Sequence, residues 1–195
     1  MNVDPLLFPA LVLGGYLLGS VSTAIVCCRA LGRPDPRASG SGNPGATNVL
    51  RVAGRDAAAL TLAGDLAKGA LAVALARLLD AEPLTWALVG AAAFLGHVYP
   101  VYYRFRGGKG VATALGALLV GTPLAGVLTV LAWGIGFGLS RISSVGALTA
   151  FALAPLLVGL TSRQPELVAV TTAVALVLFW RHRSNIGNLL TGRGG

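Results

Sequence analysis

The chain has 195 residues, 55% of them hydrophobic and only 11% charged, with a mean hydropathy of +0.76 and a formal net charge of +8. A soluble domain of this length cannot cover so much apolar surface, which excludes that class and leaves an integral membrane protein. Against that hydropathy the positive balance fits basic loops on the cytoplasmic side of a bilayer, not a nucleic-acid partner.

A crossing needs roughly 20 apolar residues. The first candidate, about 6–29, is preceded by Asp4 and followed by its first positive charge, Arg29. That order argues against a cleaved signal peptide and predicts the N-terminus outside, with Arg29, Arg33 and Arg37 inside. Cys27 and Cys28 stand side by side near the end of this run. Adjacent cysteines rarely bridge each other, so they read as two small apolar residues of a span. Spans at about 57–79 and 84–103 follow, and then an ambiguous stretch at 111–139. As one helix that stretch would run about 43 Å, too long for a hydrocarbon core of about 30 Å. The turn-forming GTPLAG at 121–126 divides it into two short spans. Spans at 145–161 and 166–180 complete the count.

The expected fold is therefore an all-α integral membrane protein with seven transmembrane helices, a single domain over 1–195, the N-terminus outside and the C-terminus cytoplasmic. Charge supports the count: Arg51, Arg55, Arg104, Arg106, Lys109, Arg141, Arg181, Arg183 and Arg193 join the three arginines above on the inner side. On the outer side stand Arg163, with Arg77 near that face, and the acidic Asp4, Asp80, Glu82 and Glu166. The 27 glycines, most of them in spans, allow close helix packing. Inside one span GDLAKGA sets Asp65 and Lys68 three apart on one helical face, as either a structural ion pair or a substrate-facing pair.

Residues capable of chemistry gather in the inner segments. GSGNPGATNVLR, 40–51, combines Ser41, Asn43, Asn48 and Arg51 with glycines, a composition suited to wrapping an anion. YRFRGGKGVATALG, 103–116, is superficially like a Walker A loop, but Lys109 is followed by Gly110 in place of Ser or Thr, and the earlier glycine is missing. Its physical logic survives: glycines admit close backbone approach, Lys109 supplies a point charge, and a helix begins near Val111 with free amides. RHRSNIGNLL, 181–190, places His182 and Asn185 on one face if helical, and RISSVG adds Ser144 at another inner turn. No His, Cys or carboxylate cluster has metal-ligand spacing, and no metal or other cofactor is expected.

Taken together, GYLLGSVSTA at 15–24, GSGNPGATNVLR, DLAKGA at 65–70, GHVYPVYYRFRGGKGVAT at 96–113 and HRSNIGNLLTG at 182–192 resemble the bacterial acyl-phosphate-dependent glycerol-3-phosphate acyltransferases. The resemblance implies a multi-pass protein of the bacterial cytoplasmic (inner) membrane with seven helices and its active site at the cytoplasmic face. It implies transfer of a fatty acyl group from acyl phosphate to the 1-hydroxyl of sn-glycerol 3-phosphate, giving lysophosphatidate and inorganic phosphate in the first acylation of phospholipid synthesis. Neither coenzyme A nor acyl carrier protein is the donor in that family. Carried over to this chain, Ser41, Arg51, Lys109, His182 and Asn185 are implied in catalysis and phosphate binding. Asn43, Asn48, His97, Gly108, Gly110 and Ser144 are implied in substrate binding. Two departures stand out: Gly187 and Asn188 where the family tends to carry a basic residue after NI, and Gly194 where it often ends the motif with glutamate.

A mixed anhydride is already activated, so direct attack of the glycerol hydroxyl on the acyl carbonyl is the expected route, with Lys109, Arg51 and backbone amides neutralising charge. The base is His182 or a substrate phosphate oxygen. An acyl-enzyme on Ser41 or Ser144 is the rival, but no GxSxG elbow is present. A transporter of organic phosphates is the alternative of a different class. Against it stand the one-sided clustering of polar segments and the lack of an internal repeat. The HX4D acyltransferase pattern fails at both histidines, Tyr102 and Gly187 holding the aspartate positions, and DGxxAR is absent.

Overall fold

Leu7–Gly19 forms α1 and Thr23–Ala30 forms α2, and between them the helix axis turns by 42°. The expected single span is thus a broken one, for a reason present in its sequence. Ser20 turns its hydroxyl back onto the Tyr16 carbonyl at 2.8 Å, and Ser22 takes an extended conformation before α2 restarts. The structure is a computed structural model and describes residues 6–192. Asp4, Arg193 and Gly194 lie outside the described residues.

All regular elements among the described residues are helical. Ala46–Ala53 forms α3, Arg55–Leu78 α4, Pro83–Val98 α5, and a single 3₁₀ turn at Val101–Tyr103 leads toward Val111–Gly121, α6. Pro123–Ser140 forms α7, Ser143–Ser162 α8, Pro165–Arg181 α9 and Arg183–Leu190 α10. Proline opens α5, α7 and α9, where its missing N–H costs nothing. The boundary expected in GTPLAG is found: α6 stops at Gly121 and α7 starts at Pro123.

Among the described residues four stretches are long and apolar enough to cross a membrane: α4, 83–103, α7 and α8. The bent pair α1 with α2 makes a fifth. Helix α6, at 11 residues, and α9, at 17, are shorter.

The chain divides into two compact units, Met1–Ala117 and Leu118–Gly195. In the first, helices cross at glycines. A Cβ on Gly19 would strike the Ala93 main chain, and one on Gly96 would strike the Tyr16 carbonyl, so α1 and α5 touch backbone to backbone. The same holds between α4 and α6, where Gly69 faces the Thr113 carbonyl and Gly116 the Leu66 carbonyl. The Tyr16 hydroxyl adds a bond to the Tyr99 carbonyl at 2.8 Å. Ala24, Cys28, Val49, Ala53, Ala57 and Ala58 form a small-residue core joining α2, α3 and α4. Both cysteines are free, as expected, with Cys28 buried.

In the second unit α7 and α8 approach at Gly136 and Gly146, the latter packed against the Trp133 carbonyl. Trp133 and Phe137 stack with ring centroids 5.1 Å apart.

Gly69→Val should lose folded protein on thermal unfolding in detergent, because its side chain meets main-chain atoms that cannot yield, at a cost of about 1–3 kcal/mol or more. Gly134→Ala, where nothing lies within 4 Å of an added Cβ, should unfold at or above the wild-type temperature.

Candidate active site

Two segments of the first unit carry most of its candidate residues, and each is shaped by one buried polar side chain. Asn48, in the first turn of α3, is 1% exposed. Its Oδ1 accepts from the Ser41 amide at 2.9 Å, while its Nδ2 donates to the carbonyls of Pro36 at 2.8 Å and Ser39 at 3.1 Å. Three hydrogen bonds thus fold 36–41 around one amide. Gly40 has a positive φ of 63°, and a Cβ there would strike that amide oxygen, so only glycine closes this turn. Ser41 is left exposed on the loop, Asn43 half-buried, and Arg51 exposed in the last turn of α3. Within GSGNPGATNVLR the chain is helical from Ala46, which fixes Arg51 on a rigid element.

Arg37 clamps the same loop from outside. Its Nε and Nη2 donate to the Asp35 carboxylate at 3.0 and 2.7 Å, and its guanidinium lies 5.8 Å from the Tyr103 ring centroid. The Arg37 hydrogen bond holds the Asp35 carboxyl below its usual range.

The second segment runs from Tyr99 to Gly110. Phe105 and Tyr103 both donate their amides to the Pro100 carbonyl, at 2.9 and 3.1 Å. Arg104 and Phe105 follow one another in the left-handed region, φ 55° and 59°, a conformation that non-glycine residues adopt at a cost of about 1–3 kcal/mol each. The Gly108 amide donates to the His97 carbonyl at 3.1 Å. Gly110 has φ 84°, and a Cβ on it would meet the Phe94 ring. Lys109 stands half-buried between these two buried glycines, directly before α6, which begins at Val111 as the sequence predicts.

Beneath this segment is a buried ionic cluster. Asp65 Oδ1 accepts from the Thr23 hydroxyl at 2.6 Å, lies 3.0 Å from Lys68 Nζ and 3.4 Å from His97 Nδ1. Lys68 Nζ also donates to the Val21 carbonyl at 3.0 Å. Of the two readings of Asp65 and Lys68, the structure shows the ion pair. His97, expected to contact substrate, is buried with its ring between Asp65 and Gly108.

In the second unit Ser144 is half-buried in the first turn of α8. His182 is 2% exposed at the junction of α9 and α10, with Nδ1 2.9 Å from the Leu178 carbonyl. Asn185 is half-buried in α10, whereas His182 precedes that helix as its cap, with φ −94° and ψ 6°. Arg183 folds over the Trp180 ring at 4.8 Å.

Sequence reasoning missed Thr23, the Val21 carbonyl, Phe94 and the contact of Arg37 with Tyr103. Each acts across a long sequence separation, and none has a local signature.

The family model for glycerol-3-phosphate acyltransferase matches residues 9–192. A glycerol-3-phosphate acyltransferase of Thioalkalivibrio sulfidiphilus is 54% identical over 96% of this chain and 92% of its own. One of Halorhodospira halophila is 52% identical over 93% of this chain and 92% of its own. Among solved structures, PlsY (YgiH), described as an integral membrane glycerol 3-phosphate acyltransferase, superposes in its glycerol 3-phosphate form with a TM-score of 0.91 and 35% identity, covering 96% of this chain and 94% of that one. Its lysophosphatidic acid form gives 0.89 and 34% over the same shares. The match runs through both units and every segment described above, and the chain belongs to the glycerol-3-phosphate acyltransferase family.

Proposed function

We propose that the protein transfers a fatty acyl group from acyl phosphate to the 1-hydroxyl of sn-glycerol 3-phosphate, releasing 1-acyl-sn-glycerol 3-phosphate and inorganic phosphate. The observation that carries this reading is the likeness over 96% of the chain to solved structures in a glycerol 3-phosphate form and a lysophosphatidic acid form, an acceptor and a product of such a transfer. The protein is a single domain of the bacterial inner membrane. Its seven crossings are α1 with α2, α4, α5, α6, α7, α8 and α9, with the N-terminus outside and the active site on the cytoplasmic face.

Two phosphate-bearing substrates demand two places for anions. Lys109 between clamped glycines and Arg51 on α3 supply positive charge on supports that need little rearrangement, which favours charge developing at the carbonyl and the departing phosphate. Ser41, Asn43, Ser144 and Asn185 bind and orient the phosphates and the glycerol. Gly108 and Gly110 let the backbone approach an anion. Asn48 serves by shaping the loop that carries Ser41.

The glycerol oxygen attacks the acyl carbonyl directly, the carbonyl–phosphate bond breaks, and phosphate leaves with its bonding pair. His182 is suited to take the hydroxyl proton. A carbonyl can only accept, so Nδ1 beside Leu178 carries the hydrogen, and in the neutral ring Nε2 keeps its lone pair.

Purified protein in lipid should release phosphate from palmitoyl phosphate only when sn-glycerol 3-phosphate is present, with lysophosphatidate formed in step and without coenzyme A or carrier protein. Phosphate release independent of the acceptor would refute the assignment. Lys109→Ala and Arg51→Ala should each lower kcat/KM by on the order of 10²-fold or more, with the KM of a phosphate substrate raised in any variant that still turns over.

Asn48→Ala should cost about 1–3 kcal/mol of stability by orphaning buried loop groups, and should lose activity. Asn48→Asp should be worse than its size suggests, since it keeps the acceptor for Ser41 but turns a donor toward two carbonyls into a buried charge. Thermal unfolding alongside the phosphate assay reads both.

A further inference from the structure

The Asp65 cluster contains more than charge balance requires. Lys68 alone can neutralise Asp65, at 3.0 Å, and both side chains are 4% exposed. Yet the same oxygen also receives the Thr23 hydroxyl and faces His97 Nδ1. The far edge of that imidazole lies against the main chain of Gly108, where a Cβ would collide with Nε2. The His97 carbonyl meanwhile accepts the Gly108 amide, and a Cβ on Gly107 would collide with that carbonyl. One residue therefore grips the glycine segment by its main chain and by its ring. Three residues earlier on α5, Phe94 lies under Gly110. Lys109 is held from both sides by one face of α5, and the ring that sets one side is turned by a carboxylate on α4.

We propose that His97, anchored at the Asp65 carboxylate, is a positioning residue that fixes the 107–110 segment and hence Lys109, and that Thr23 and Lys68 serve it by holding that carboxylate in place. This rests on the acyltransferase reading above. The argument is geometric: a side chain that only filled space could be replaced by another of similar volume, whereas a wedge between a fixed carboxylate and a loop backbone transmits its orientation to the loop. Displacement of a positioned group by about 1 Å can cost on the order of 10²-fold in rate.

The test uses the full chain in lipid, with palmitoyl phosphate and sn-glycerol 3-phosphate, and reads kcat and KM separately beside thermal unfolding. Gly108→Ala drives a methyl into the imidazole and should lower kcat/KM by on the order of 10²-fold while raising the KM of a phosphate substrate. His97→Asn keeps a donor where Nδ1 stands and removes the ring edge over Gly108. His97→Asn should therefore itself raise the KM of a phosphate substrate, and combining it with Gly108→Ala should cost no more than the larger of the two single losses, the non-additivity expected of residues in contact. Thr23→Val and Asp65→Asn should also raise KM in the folded fraction. If Asp65→Asn does not fold, Thr23→Val and the Gly108 pair still decide.

Multiplicative effects of His97→Asn and Gly108→Ala, or folded variants with wild-type KM and only less folded protein, would overturn the proposal. A wild-type protein that neither turns over palmitoyl phosphate nor binds sn-glycerol 3-phosphate by calorimetry would remove the acyltransferase reading instead.

Discussion

A carboxylate within a membrane helix has to be satisfied where it stands, and Asp65 imposes that demand on the whole first unit. An unpaired aspartate at helix centre costs about 2.5–3.5 kcal/mol or more, so its partners must arrive from the surrounding helices. They come from three directions: Lys68 one turn along α4, Thr23 at the start of α2, and His97 near the end of α5. Lys68 in turn takes the Val21 carbonyl from the break in the first span. Elements separated by more than 40 residues are thereby held to a single side-chain oxygen, and the glycine segment after α5 inherits its footing from them.

Small residues make such convergence possible. Where Gly19 and Gly96 bring α1 onto α5, and Gly69 and Gly116 bring α4 onto α6, there is no side-chain layer to flex. Backbones in contact form a stiff frame. On that frame the chain can afford two successive left-handed non-glycine residues at Arg104 and Phe105, a strain that a loose loop would relax. The same stiffness holds the backbone on either side of Lys109 in place, with Gly108 against His97 and Gly110 against Phe94.

Much of this was legible in the sequence, and the exceptions follow one rule. Hydropathy and charge order revealed the long apolar helices, the glycine count foretold close crossings, and GTPLAG marked the break between α6 and α7. Asp65 and Lys68 were visible as a pair because helical spacing is local. The bend at Ser20–Ser22 was not, since Ser20, Ser22 and Thr23 fall inside a run whose overall length still matches one crossing, and it is a serine hydroxyl competing for backbone groups that interrupts the helix. Asn48 and His97 were visible as polar residues in suggestive segments, but their partners lie elsewhere in the chain: Pro36 and Ser39 for one, Asp65 for the other. Periodicity shows which face a residue occupies, and it carries no information about which distant atom that face will meet.

The bend also bears on how the protein is made. Val21 lies just before the cap of α2, so its carbonyl has no helical donor, and Lys68 Nζ fills that place. During synthesis the first apolar segment emerges before α4 exists. Lipid offers no substitute hydrogen bond for an open carbonyl. Until α4 stands beside it the broken first stretch therefore lacks a donor for this carbonyl, so that the bent pair and α4 satisfy their polar groups only together.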